Sequence, residues 1–188
     1  MAAEDEASVV AQTQCWIERA VIGLNLCPFA RTVFEGGGIR YVVSSARDAD
    51  ALVVDLDVEL RRLHAADPAE CETTLLVHPR VLQNFLDYND FLDVAEATLE
   101  TLDLADDIQI ASFHPDYQFA GTAPDDVENC TNRSPYPMLH LLRQASVDRA
   151  VAAFPDAATI YESNITTMRR LGPEGWRRLW LQPAEGNV

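Results

Sequence analysis

The chain contains no lysine, because all 14 of its Lys and Arg residues are arginine. This absence excludes a Walker-type phosphate loop, a pyridoxal Schiff base and a lysine nucleophile. Positive charge is scarce as well, since 30 acidic residues set the formal net charge at −16. A surface this negative repels phosphate backbones and anionic head groups, so we expect neither nucleic acid nor a membrane as a partner.

Long apolar runs and closely spaced cysteines are also missing. No apolar run approaches the length of a membrane span, and residues 1–6 are acidic where a secretory signal is basic. The four cysteines stand 12, 44 and 59 residues apart, which excludes C-x-x-C redox pairs and zinc ribbons. We therefore expect a cytoplasmic protein with reduced thiols.

The 188 residues are 48% hydrophobic and 23% charged, an ordinary globular composition that can bury a real core. We expect a single domain over residues 1–188. Its core spans about residues 9–172 and is followed by a C-terminal tail, 173–188, that contains Trp176 and Trp180.

Strand and helix patterns alternate along the chain. Residues 39–43, 73–77 and 108–113 predict strands, with helices between them that begin at Asp48 or Asp50 and at residue 89. Further helices are predicted over residues 9–26, 137–143, 147–154 and 164–171. Helical connections of this length favour right-handed crossovers between parallel strands. The predicted fold class is α/β, a small parallel βαβαβ sheet covered by helices, with extra helices at both termini.

A His-Pro dipeptide follows each of the last two predicted strands. His78-Pro79 and His114-Pro115 are 36 residues apart, whereas the composition predicts fewer than one such dipeptide in the chain. If the strands are parallel, both histidines lie at the edge where open α/β sheets bind ligands. Neighbouring strands are about 4.8 Å apart, so the two imidazoles could reach one metal ion or flank one small molecule.

The segment from His114 to His140 is rich in proline and has no clear period, which is typical of a functional loop. It ends at a predicted helix start, where Ser134 can cap the helix and Pro135 suits its first position. The N–H groups beside Arg133 could hold a carboxylate or a phosphate. His140, one turn into this helix, would face the same edge as the other two histidines.

Three segments resemble the bacterial family known as domain of unknown function 1415. They are residues 25–30 (NLCPFA), 112–121 (SFHPDYQFAG) and 132–140 (NRSPYPMLH). The resemblance extends from about Trp16 to Gly172 and implies membership of the family, but it implies no activity, cofactor or catalytic residue. It also leads us to expect tyrosine at position 130, so Cys130 is a poor candidate for essential chemistry.

Our first hypothesis is an enzyme that acts on a small anionic or polar molecule in a histidine-centred pocket at the carboxyl ends of the strands. The catalytic candidates are His78, His114, Asp116 and Tyr117, and the substrate-binding candidates are Arg133 and Ser134. As a further possibility, one divalent metal, Zn or Fe, would be held by His78, His114 and His140.

Two alternatives dispense with catalysis. In one, the pocket belongs to a ligand-binding sensor or carrier; in the other, the histidines are structural and the loop over residues 114–137 docks a partner protein. His64 is interpreted as a solvated helix end. Cys27 is disfavoured as a thiolate nucleophile, because the negative end of a helix dipole raises the cost of a thiolate.

Overall fold

The structure is a computed structural model that describes residues 5–153 and 157–181. One four-stranded sheet has the order β1-β2-β4-β3, in which β1 is Ile39–Val43, β2 is Thr73–Val77, β3 is Ile108–Phe113 and β4 is Met138–Arg143. Strand β1 is parallel to β2, whereas β4 is antiparallel to both β2 and β3. The α/β class is confirmed, but the prediction of a purely parallel sheet is wrong.

Helices connect and flank the strands. They are α1 (Glu6–Trp16), which continues as a π-helical segment (Ile17–Ile22), α2 (Ala30–Glu35), α3 (Ala49–Ala65), α4 (Phe85–Thr101), a 3₁₀ helix (Val127–Asn132), α5 (Gln144–Ala153) and α6 (Ala157–Leu181). The predicted end of the α5 segment, Phe154, lies outside the described residues. Over the described ranges, no helix is both long and apolar enough to cross a membrane.

Polar side chains set the starts of the two long helices between strands. Asp48 caps α3 by accepting a hydrogen bond from the Ala51 N–H, as one of the two predicted alternatives requires. Asn84 caps α4 by accepting from the N–H groups of Leu86 and Asp87. Helix α4 therefore begins at residue 85, earlier than the predicted residue 89.

Residues 138–143 form a strand and not the predicted helix over 137–143. Strand β4 is central, and both of its faces are covered: Leu139 and Leu141 pack in the core under α3 and α4, and Met138 packs in the core under α1 and α6. In a strand that is buried on both faces, apolar and polar residues do not alternate. Its sequence is a continuous apolar run that cannot be distinguished from a buried helix by periodicity. Consequently Ser134 and Pro135 do not begin a helix, and the helix start at which the sequence predicts an anion site is not present at these residues.

The two faces of the sheet have separate cores. The predicted apolar stripe of α3 is buried against one face of the sheet. It consists of Leu52, Leu56, Leu60 and Leu63. On the other face, Val9 and Trp16 of α1 pack with Met168 and Trp176 of α6. Thus Trp176 of the predicted tail docks against the sheet layer, whereas the side chain of Trp180 lies outside the described part of the chain.

Helix α6 is broken at Gly172, whose φ of 67° and ψ of 171° are followed by Pro173. The sequence predicts a helix end here, and the chain instead resumes a helix after the break. This backbone region is accessible essentially to glycine alone, so we expect Gly172→Ala to lower the free energy of unfolding by about 1–3 kcal/mol. A Cβ at Gly172 would meet no atom within 4 Å, so the loss would be conformational. Urea unfolding checks this, and unchanged stability would contradict it.

Candidate functional site

His78 and His114 follow β2 and β3 and lie at the same edge of the sheet, as expected from the sequence. Strand β4 stands between β2 and β3, so the two strand tips are about 10 Å apart instead of adjacent. Tyr88 of α4 fills this gap, with ring centroids 5.8 Å from His78 and 5.0 Å from His114. Phe85 lies 5.5 Å from His114 and 5.2 Å from Tyr117. These five rings are termed the aromatic cluster.

The Tyr88 hydroxyl links the aromatic cluster to the sheet by two hydrogen bonds. It donates to the Met138 carbonyl over 2.8 Å and accepts from the Phe113 N–H over 3.0 Å. Burial raises the pKa of Tyr88, so the hydroxyl keeps its proton. Sequence reasoning missed this residue because the predicted helix began after it. The cap at Asn84 is the signal that would have placed Tyr88 in the first turn of α4.

Both ring nitrogens of His114 bond to backbone groups. Its Nε2 lies 3.1 Å from the Leu82 carbonyl oxygen, and its Nδ1 accepts from the Asp116 N–H over 3.0 Å. Because a carbonyl only accepts, the proton is assigned to Nε2. Burial lowers the pKa of His114, against the opposing effect of its bond to Leu82. In this arrangement, His114 is neutral and has no nitrogen left for a metal or a substrate.

His78 differs because one of its nitrogens has no partner. Its Nδ1 lies 3.1 Å from the Val81 carbonyl oxygen, so Nδ1 carries the proton, whereas Nε2 is buried and makes no hydrogen bond. Burial lowers the pKa of His78 to about 4. A neutral imidazole with a buried lone pair results, and leaving such an atom unsatisfied costs about 1–3 kcal/mol.

His140 lies on the opposite face of the sheet. Its ring is 6.2 Å from that of Phe113, in the layer under α1 and α6, and its Nε2 donates to the Thr73 hydroxyl over 2.8 Å. That hydroxyl in turn donates to the Leu141 carbonyl. The helical prediction for residues 137–143 had placed His140 beside the other histidines, and the strand turns it away. In residues 5–153 and 157–181, no group of three or more His, Cys, Asp or Glu side chains could hold a metal ion. The structure therefore does not bring together His78, His114 and His140, the three expected metal ligands.

The predicted substrate-binding residues are used inside the loop. Arg133 donates from its guanidinium to the carbonyls of Tyr117, over 3.3 Å, and Pro124, over 2.7 Å. Ser134 is fully buried and donates to the Tyr136 carbonyl over 2.7 Å. Both side chains thus donate hydrogen bonds to backbone carbonyls of the loop.

Asp116 and Tyr117 take different places. Asp116 is exposed and contributes its backbone N–H to His114. Tyr117 packs its ring on Phe85, and its hydroxyl is 3.3 Å from the Ser112 hydroxyl. Of the four predicted catalytic residues, the structure thus brings the rings of His78, His114 and Tyr117 into one cluster.

The loop over residues 114–137 is folded around Asn129, a fully buried residue that sequence reasoning missed. Its side-chain oxygen accepts from the Phe119 N–H and the Thr122 hydroxyl, and its amide donates to the Ala123 carbonyl. Such buried polar networks specify one loop conformation. No periodic pattern in the sequence signals this role.

Comparison with protein families agrees with the motifs. The model of a family described as a protein of unknown function, DUF1415, matches residues 8–178. The chain belongs to the DUF1415 family. No curated protein and no solved structure matches it. The family resemblance drawn from the sequence is therefore confirmed, and the match adds no function to this DUF1415 protein.

The remaining histidine and the cysteines of this DUF1415 protein have no part in the cluster. His64 is half-exposed, 3.4 Å from Asp107, which confirms a solvated helix end. Cys15, Cys27, Cys71 and Cys130 are free thiols.

An open cavity of about 420 Å³ lies at the amino ends of β1 and β2, away from the aromatic cluster. Its lining includes Arg40, Arg62 and Glu70. Arg40 is paired with Glu59 over 2.8 Å. The cavity contains none of the predicted site residues of this DUF1415 protein.

Proposed function

We propose that this protein binds a small, uncharged, planar molecule at the carboxyl edge of its sheet, with Nε2 of His78 as the hydrogen-bond acceptor. The supporting observation is the buried lone pair of His78, which has no partner in the protein. Buried polar atoms nearly always have a partner, so one that lacks it calls for a ligand or a bound water.

The surrounding side chains define the chemistry of the ligand. Phe85, Tyr88 and Tyr117 supply aromatic faces and edges, against which a planar ring packs well. The Arg133 guanidinium donates to two loop carbonyls and is not one of the five rings of the aromatic cluster, so we propose an uncharged ligand. The ligand we propose is a heteroaromatic or phenolic ring with an N–H or O–H donor.

The pKa of His78 also bears on catalysis. With a pKa of about 4, the imidazole is always available as an acceptor at neutral pH but is a weak base. This favours ligand binding and orientation over proton abstraction. In an enzyme, His78 would align the donor atom of the substrate, and His114 would act as a positioning residue.

The alternative of structural histidines also has support. Both nitrogens of His114 are satisfied by backbone groups, and the contacts of Arg133 lie within the loop. If His78 has the same kind of role, the protein would bind no small molecule at this edge.

A binding experiment separates the two. We expect at least one of phenol, 2-pyridone and uracil to raise the melting temperature of the wild type and of the exposed-residue control His64→Gln. His78→Phe keeps a ring beside Tyr88 but removes the acceptor, so affinity should fall at least about tenfold. In the wild type, the same compound should shift the ¹⁵N resonance of His78 Nε2. The proposal is overturned if none of the three compounds changes either the melting temperature or that resonance.

A further inference from the structure

The proposed acceptor is closed off from solvent. The side chains of His78 and His114 are 0% and 1% exposed, so a ligand reaches them only if a neighbouring segment moves. Residues 79–84, which connect β2 to α4, contact both imidazoles through two consecutive carbonyls. Val81 accepts from Nδ1 of His78 and Leu82 from Nε2 of His114, each over 3.1 Å. The connection is therefore held closed by one hydrogen bond from each histidine.

Leu82 is also conformationally strained. Its φ of 57° is left-handed, and the other non-glycine residues with positive φ are Asn25 and Asp103 among the described residues. Asn and Asp tolerate this region, whereas a bulky residue such as leucine is an outlier there. A left-handed conformation is unfavourable for an L-residue with a bulky side chain, and it persists only where surrounding contacts enforce it. The hydrogen bonds from the two histidines to the carbonyls of Val81 and Leu82 are such contacts.

The connection can move without unfolding its neighbours. Its internal contacts include a long bond from the Val81 N–H to the His78 carbonyl, 3.4 Å, and one from the Gln83 side chain to the Pro79 carbonyl, 3.0 Å. At its far end, the cap bonds of Asn84 belong to α4 and need not break. Opening then exposes Val81, which is buried in the core under α3 and α4, and the partly buried Leu82, which packs against the same core.

We infer that residues 79–84 are a lid, which opens by releasing its two histidine hydrogen bonds and admits a ligand to Nε2 of His78. The ligand part of this inference rests on the proposed function, whereas the motion is independent of it. Strain at Leu82 favours the open lid, and the two imidazoles favour the closed one.

Hydrogen exchange and proteolysis of the wild type test the motion directly. We expect the Val81 amide to exchange faster than the Leu76 amide in mid-sheet, at a rate that low urea concentrations do not change, as local opening requires. Trypsin should cut the native protein after Arg80, an exposed residue in the lid, and Arg80→Gln should abolish that cut. Equal exchange rates with the same urea dependence at Val81 and Leu76 would show global unfolding alone and overturn the lid.

A variant pair links the motion to the histidine bond. His114→Phe keeps a ring against Phe85 and Tyr88 but loses the bond to Leu82, so cleavage after Arg80 should speed up about tenfold. His64→Phe, at an exposed site, should leave the rate unchanged. If His114→Phe does not fold, the urea dependence of hydrogen exchange at Val81 and Leu76 in the wild type still tests the lid. If a probe binds but no local opening is observed, the lid is overturned and the proposed function stands. If local opening is observed but none of the probes binds, the proposed function is overturned and the lid stands.

Discussion

Tyr88→Phe is expected to lower the free energy of unfolding by about 2–6 kcal/mol, although it removes only one oxygen atom. The hydroxyl is the partner of two buried backbone groups, the Met138 carbonyl and the Phe113 N–H. Each group left unsatisfied costs about 1–3 kcal/mol. The ring keeps its stacked contact with His78 and its tilted contact with His114, so urea unfolding of this variant isolates the hydrogen bonds from the packing.

Tyr161→Phe is the matched control, because Tyr161 is 56% exposed and water can replace its hydroxyl contacts. Its effect should stay within about 0.5 kcal/mol, as for ordinary surface substitutions. If Tyr88→Phe were as mild as the control, the hydroxyl would not join α4 to the ends of β3 and β4 in solution.

Local sequence patterns predicted three strands with the limits that the structure has: 39–43, 73–77 and 108–113. Each is a short β-branched or aromatic run between turn residues, a signal that does not depend on distant contacts. The stripe from Leu52 to Leu63 likewise marks the buried side of α3, since helical spacing alone places these leucines on one face.

Strand β4 shows where local patterns fail. Its run from Met138 to Leu142 is apolar because both faces are covered, and this removes the alternation that distinguishes a strand from a buried helix. Its place between β2 and β3 depends on pairing across many residues, which no local pattern encodes. Because neighbours in a strand point to opposite faces, the same error misplaced His140.

The candidate site was predictable only in part. The positions of His78 and His114 followed from the rule that strands of one direction end at one edge. Their hydrogen-bond partners, Val81 and Leu82, are backbone carbonyls whose location depends on the path of the connection. The same holds for Arg133, whose attachment to two carbonyls is fixed by the folded loop and not by its neighbours in sequence.

Acidification from pH 7.5 to pH 5 should destabilise the wild type by about 2 kcal/mol more than it destabilises His78→Gln. Burial lowers the pKa of His78 from 6.5 to about 4 in the folded protein. Between pH 6.5 and pH 4, His78 is protonated in the unfolded chain but not in the folded protein. The free energy of unfolding therefore falls as the pH falls through this range. The loss reaches roughly 3 kcal/mol at pH 4 for this one side chain and levels off below that pH.

The comparison isolates His78 because the two chains share every other titrating group. These include His140, whose pKa burial also lowers to about 4, and all the carboxylates. Glutamine retains an N–H that can donate to the Val81 carbonyl, so the lid keeps a partner at this position. The exposed-site variant His64→Gln should lose stability with acid as the wild type does. Urea titrations at both pH values provide the free energies, and equal losses in the wild type and His78→Gln would mean that His78 is protonated or solvated in the folded state, which would leave neither a buried lone pair nor a need for a lid.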